Sequence, residues 1–266
     1  MSEPTDRNGV DHLGSVRIDM NSPTALYRQN GHEIYWLGIA QETTFRCNTY
    51  LIRNGDQALL VDPGNRSHFT LVRDRVAQIM DPASITGLVL CHQDPDVAAS
   101  MCDWLEQSPH ACVYTTPRTQ VLLPHYGCDD YRYVDVTAAP KLTLPSGAKL
   151  RFIEAPFLHF PGAFVTYDEH ARYLFSGDIW AALDIEWKLV VDDFEHHREM
   201  MDLFHLDYMA SNVATRGFVR RLDGLDIRAI LPQHGSIIPS SHIPAALEYL
   251  RELHCGTDIA YPDLHS

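Results

Sequence analysis

Residues 85–96 read Ile85-Thr86-Gly87-Leu88-Val89-Leu90-Cys91-His92-Gln93-Asp94-Pro95-Asp96, and this stretch decides the fold. A short apolar run, the text of a buried strand, is cut off by a histidine and two carboxylates. Helix-like text follows from about 96 to 107. The same arrangement returns three times further along the chain. Residues 151–157 (RFIEAPF) lead into His159-Phe160-Pro161-Gly162, residues 172–177 (RYLFSG) into Asp178, and residues 227–233 (IRAILPQ) into His234-Gly235. Loops at strand ends are where a rigid sheet presents functional groups. One histidine after a strand is more often a surface or hydrogen-bonded core residue. Four apolar strands that each end in a metal-ligating side chain need a common reason. Neighbouring residues of an extended loop alternate in direction, so His92, Asp94 and Asp96 can point into one pocket. Pro95 limits the backbone between the two carboxylates. Helix capping would account for Asp94 or Asp96, but not for His159, Asp178 and His234.

Working outward, residues 33–40 (EIYWLGIA) and 48–64 (NTYLIRNGDQALLVDPG) alternate like strands, with Asn54-Gly55 as a hairpin signal. Residues 66–80 carry helical spacing at Phe69, Val72, Val76 and Ile79, stopped by Asp81-Pro82. After a strand at 111–116 comes a proline-rich middle, then three more strands around 149–178. Residues 193–222 read as the longest helical region, with Met200, Met201, Phe204 and Tyr208 on one apolar face. A last strand and a terminal helix close the chain. Strands in two groups, each followed by helices, predict one layered α/β domain.

The bulk composition narrows the function classes. The chain has 266 residues, 45% of them hydrophobic, enough for a large core. A net charge of −14 and no Lys/Arg run exclude nucleic acid and anionic membranes as expected partners. No run of roughly 18 apolar residues is present to span a bilayer, and the polar, acidic start does not read as a signal peptide. Six cysteines stand at 47, 91, 102, 112, 128 and 255 without a C-x-x-C pair, which reads as a reduced, cytoplasmic chain.

The strand-end motif H-x-[HED]-x-D followed by His, Asp and His resembles the metallo-β-lactamase superfamily, and the Val61-Asp62-Pro63-Gly64 turn is also typical of it. The resemblance is closest to the diiron domain of flavodiiron proteins, and within that group to the shorter oxygen-binding diiron proteins (ODP). It covers roughly residues 33–255. It implies a metallo-β-lactamase αββα four-layer sandwich. The implied divisions are an irregular N-terminal arm at 1–30, a diiron domain at 31–255 and a C-terminal tail at 256–266. By resemblance, His92, Asp94 and His159 bind one metal, Asp96 and His234 the other, and Asp178 bridges them.

Two departures from the family patterns bear on the metal. Zinc hydrolases of the fold have His where this chain has Asp94, and usually a second His where it has Val97. Flavodiiron enzymes commonly have Glu and His there. Three imidazoles with three carboxylates suit two iron ions, with zinc or manganese as the other candidates. The missing ligand at Val97 is expected to leave the second metal short of donors, with room for dioxygen beside an apolar side chain. Tyr208 and Tyr126 are candidate donors to a bound oxygen species, while His196, His197 and His205 are expected to face solvent or an interface.

The expected function is dioxygen binding by a non-haem diiron protein acting as an oxygen sensor or carrier. No FMN and no in-chain flavin domain are expected. An external redox or signalling protein is the expected partner, and a homodimer the expected assembly. A diferrous pair holds two electrons while reduction of dioxygen to water takes four. The alternative is therefore an oxygen or nitric oxide reductase fed by a separate flavoprotein, and behind it a dinuclear metal-dependent hydrolase.

Overall fold

The computed structural model describes residues 13, 19, 21–38, 46–183 and 187–264. Strands β1 (Thr24–Gln29), β2 (His32–Trp36), β3 (Tyr50–Asn54), β4 (Gln57–Val61), β5 (Gly87–Val89), β6 (Cys112–Thr115) and β7 (Arg132–Asp135) form one sheet in that spatial order. Strands β8 (Lys141–Thr143), β9 (Lys149–Glu154), β10 (Phe164–Asp168), β11 (Tyr173–Gly177), β12 (Ala229–Pro232) and β13 (Ile238–Pro239) form the second, ordered β13-β12-β11-β10-β9-β8. Helices α1 (Phe69–Val76), α2 (Pro95–Ala98), α3 (Met101–Gln107) and α4 (Pro117–Gln120) lie within the first half of the chain. Helices α5 (Phe194–Tyr208), α6 (Asn212–Arg221), α7 (Ile243–Glu252) and α8 (Thr257–Ala260) lie in the second.

The period-two alternation of the strands builds the layers. On β3, Tyr50 and Ile52 pack between the sheets with Phe164 and Phe175, whereas Leu51 faces outward to Val72 and Trp104. On β11, Tyr173 and Phe175 face the first sheet, and Leu174 packs outward with Phe204, Phe218 and Leu250. The result is the αββα sandwich implied by the resemblance, with one core between the sheets and one under each helical layer. Asn54-Gly55 turns the β3–β4 hairpin, with Gly55 at φ +60° where a side chain would be strained.

Several expectations are corrected. Residues 24–29, read as part of an irregular arm, form β1, which pairs with β2 through Thr24↔Trp36 and Gln29↔His32. The helical text at 193–222 is two helices, because Ser211 caps the second by accepting from Ala214 N. The proline-rich middle carries β7 and β8, short strands that tertiary pairing holds in place. The chain is not fully reduced: Cys102 on α3 is bonded to Cys128, with Cα atoms 5.7 Å apart. A separation of 26 residues hides such a pair from any local motif. No helix among the described residues is long and apolar enough to cross a membrane.

Candidate metal centre

The strand-end residues converge at one rim of the sandwich. Asp178 follows β11 directly, and Gly177 before it takes φ +56°; a Cβ there would lie 2.7 Å from Cys91 Sγ. Only glycine allows the turn and the close packing together. The Asp62 turn pins the opposite side: Asp62 Oδ1 accepts from Cys91 N at 3.0 Å, holding the backbone just ahead of His92. Burial pushes the Asp62 carboxyl up to about 6. Gly64 N donates to Val97 O at 3.0 Å, so the same turn also fixes the far end of the ligand loop.

Asp94 occupies the cap position of α2 but makes no capping hydrogen bond. Its Oδ2 lies 3.3 Å from His159 Nε2 and 3.6 Å from His92 Nε2. Capping therefore does not explain this residue. Asp178 Oδ2 lies 3.0 Å from His159 Nε2 and 3.2 Å from His92 Nε2, while its Oδ1 lies 3.7 Å from His234 Nε2. His234 Nε2 is 3.0 Å from Asp96 Oδ2. The side chains make two adjoining groups. In one, His92, Asp94, His159 and Asp178 bring one donor atom each within 4.8 Å of the others; in the second, Asp96, His234 and Cys47 do the same. All six residues singled out in the sequence are thus brought together, with a carboxylate between the groups.

Three observations fit this arrangement to cations. Each histidine directs Nε2 inward. His234 Nδ1 donates to the Arg46 carbonyl at 3.2 Å, which fixes the ring so that Nε2 faces Asp96 and Asp178. Asp178 Oδ1 is buried without a hydrogen-bond partner, a costly state unless a cation answers it. Without a metal the charges pair with each other instead. Burial opposes the charged form of His159, but hydrogen bonds to Asp178 and Asp94 outweigh it and hold the imidazole up at about 9. Burial likewise opposes charging of His234, and Asp96 and Cys47 hold it up at about 10. Asp178 stays well below the usual carboxylate range despite burial, because His92 and His159 surround it.

Other sequence expectations fare unevenly. Tyr208 is 55% exposed; its ring meets His159 edge-on at 5.7 Å and stacks on Phe204 at 4.5 Å. Tyr126 gives its hydroxyl proton to the Gln93 carbonyl, so it braces the ligand loop rather than facing the cavity between the donors. Val97 is wholly buried with Leu60, Val72 and Trp104, and lines no space beside the second group. His196 is exposed as expected, but His197 and His205 are buried. His205 donates from Nδ1 to Met201 O and accepts from Trp180 N at 2.9 Å, bracing the turn after Asp178. Cys47, read in the sequence only as one of six reduced cysteines, joins the second group because its segment bridges to His234 in an antiparallel pair.

Paired His/carboxylate groups at one rim of an αββα sandwich define the binuclear class of the metallo-β-lactamase superfamily. The chain belongs to the ODP family of beta-lactamases, whose sequence profile matches residues 45–235. It is similar to the chemotaxis sensor ODP from T. denticola, solved in the apo state, with 32% identity and a TM-score of 0.78 over 92% of this chain and 99% of that one. A structure described as the peroxy diiron species of chemotaxis sensor ODP aligns at 32% identity and TM-score 0.79, over 90% of this chain and 99% of that one. The flavodiiron protein from Giardia intestinalis shares the fold at 21% identity and TM-score 0.76, over 85% of this chain and 58% of that one. Among curated relatives, diflavin flavoprotein A 1 of Synechocystis is 26% identical over 210 residues, 76% of this chain and 35% of its own length. The chain therefore spans about a third of the length of the first curated relatives it matches.

Proposed function

We propose that this chain is a non-haem diiron protein that binds dioxygen and serves as an oxygen sensor. The observation that carries the reading is the placement of Asp178 between two donor groups, one oxygen toward His92 and His159 and the other toward His234. His92, Asp94 and His159 would hold one iron, Asp96 and His234 the other, and Asp178 would bridge. Three imidazoles and three carboxylates suit iron, and the similar chemotaxis sensor is described as a diiron species. Two irons held by these residues would supply the electrons that dioxygen binding needs. The protein's part is to orient the imidazoles, offset charge and wall the site: the edge-on Tyr208 ring beside His159 covers one side.

The proposed unit is residues 31–255, joined at its edge by β1 and flanked by the remainder of the 1–30 arm and the 256–266 tail. Its proposed partner is an external signalling protein, with a homodimer through α5, where Leu203 and Leu206 are exposed. Cytoplasmic location is supported by the free thiols of Cys47, Cys91, Cys112 and Cys255; the Cys102–Cys128 bridge points the other way. A reductase fed by a separate flavoprotein is the second reading, favoured by 30% identity over 132 residues to the anaerobic nitric oxide reductase flavorubredoxin of Aeromonas salmonicida.

The test is to load the protein with iron, reduce it without oxygen, and mix it with oxygenated buffer in a stopped-flow spectrometer. About two irons per chain and a visible band persisting for minutes are expected. Fast bleaching, with sustained oxygen consumption once a flavoprotein donor is added, would establish the reductase instead. Stoichiometric zinc with esterase or phosphodiesterase turnover would replace both by a hydrolase.

A further inference from the structure

We infer that Cys47 is a thiolate ligand of the second metal, completing a Cys47–Asp96–His234 set. The inference rests on the dinuclear reading above and adds a donor to it. Asp96 and His234 alone, even with one Asp178 oxygen, leave the second ion with fewer protein donors than the first. Cys47 Sγ lies 4.0 Å from Asp96 Oδ2, and its sulfur, the Asp96 oxygen and the His234 nitrogen all fall within 4.8 Å of one another. Donors that share an ion at about 2.0–2.3 Å each stand roughly 3–4.5 Å apart, so the spacing suits one common cation. Asp178 Oδ1, buried and without a hydrogen-bond partner, lies 3.7 Å from His234 Nε2 on the side of this group.

The local backbone explains why the sulfur is there. Residues 46–48 run against the His234 loop: Cys47 bridges to His234, Asn48 N donates to Gln233 O at 2.6 Å, and Arg46 O accepts from His234 Nδ1. One short segment therefore fixes the orientation of His234 and delivers a thiol beside its inward-facing Nε2. Asn48 locks that segment through Nδ2 bonds to Pro232 O and Gly235 O. Cys47 is 7% exposed, so bulk water does not compete for the position.

Metal binding exchanges the thiol proton for a metal–sulfur bond, the proton leaving to solvent. Four anionic donors, three carboxylates and one thiolate, then match the charge of two divalent ions. The two positions become chemically different. The first has nitrogen and oxygen donors only, and the second carries a soft donor that raises its preference for zinc. A mixed iron–zinc pair is accordingly the expected product when both metals are offered in limiting amounts.

The experiment titrates metal-free protein with Co²⁺ under argon and follows near-ultraviolet absorption, where thiolate-to-cobalt charge transfer falls. Wild type should bind about two ions per chain and develop an intense band; Cys47→Ser should keep the first ion and lose the band, while Cys112→Ser, a free cysteine outside both groups, keeps it. X-ray absorption of the zinc-loaded wild type needs no variant and should show sulfur in the metal shell at about 2.3 Å. Two bound ions with no sulfur scatterer, or a band unchanged in Cys47→Ser, would overturn the assignment while leaving the dinuclear reading intact. Fewer than two ions in wild type would remove both.

Discussion

Acidification should weaken the protein through His205, a residue outside the metal set. Its ring is wholly buried, gives Nδ1–H to Met201 O and receives Trp180 N–H on Nε2, so both nitrogens are used by the neutral form. Burial lowers its pKa to about 4 from an ordinary 6.5. Because the folded value is depressed, the unfolded chain binds the extra proton first. The contribution to stability is full above pH 6.5 and is lost as pH falls toward 4. The whole shift corresponds to about 3 kcal/mol, of which about 2 kcal/mol is gone by pH 5.0. The assay is urea unfolding of metal-free wild type and His205→Gln at pH 7.5 and 5.0. Glutamine has a donor and an acceptor but does not titrate, so groups common to both proteins cancel in the comparison. Wild type should lose about 2 kcal/mol more than the variant between the two pH values. Parallel losses would refute the claim that His205 is held neutral.

Further outcomes concern the site. His159 and His234 are held up at about 9 and about 10 in the metal-free protein. Their stabilisation is therefore complete below pH 6.5 and lost as pH rises through those values, and melting of metal-free protein between pH 7 and 10 should show the decline. Metal uptake at pH 7.5 should expel about four protons per chain, three from the raised imidazoles and one from the Cys47 thiol, read by calorimetry in buffers of different ionisation heat. Asp178→Ala should lose more metal than His159→Ala or His234→Ala by elemental analysis; equal losses would show that Asp178 does not bridge. Tyr126→Phe strands the Gln93 carbonyl and should cost about 1 kcal/mol, with faster release of metal to a chelator; unchanged release would show that the loop needs no such brace.

Much of this was legible in the sequence because the donors follow apolar strands, and a strand end is a local signal. His92, Asp94, Asp96, His159, Asp178 and His234 all announce themselves that way. Cys47 does not: it precedes a strand rather than ending one, and only pairing across 187 residues of sequence, as in Asn48–Gly235, sets it beside His234. The Cys102–Cys128 bond and the burial of His205 escape for the same reason, since both depend on which faces meet in space. Val97 misled because its family position was read without its direction; the α2 turn rotates it into the core. Strands β1, β7 and β8 lie at or near sheet edges and bury less, so their apolar pattern is too thin to stand out.

The donors are spread from residue 47 to residue 234 and hang on both sheets. No contiguous segment owns even one complete set: the first is complete only once β11 has brought Asp178 to His92 and His159, and the second waits for β12 and His234. Contacts of such long sequence separation are late events in folding, because loop closure must come first. Metal loading would therefore follow the docking of the strands that carry each set, and would not template their local folding. Conversely, each bound ion clamps strands that would otherwise separate at different stages of unfolding. Its stabilisation, set by RT ln(1 + [M]/Kd), falls on the sandwich as one cooperative unit. Iron scarcity would then shorten the lifetime of the whole fold, and the amount of protein in a cell would itself record the supply of metal.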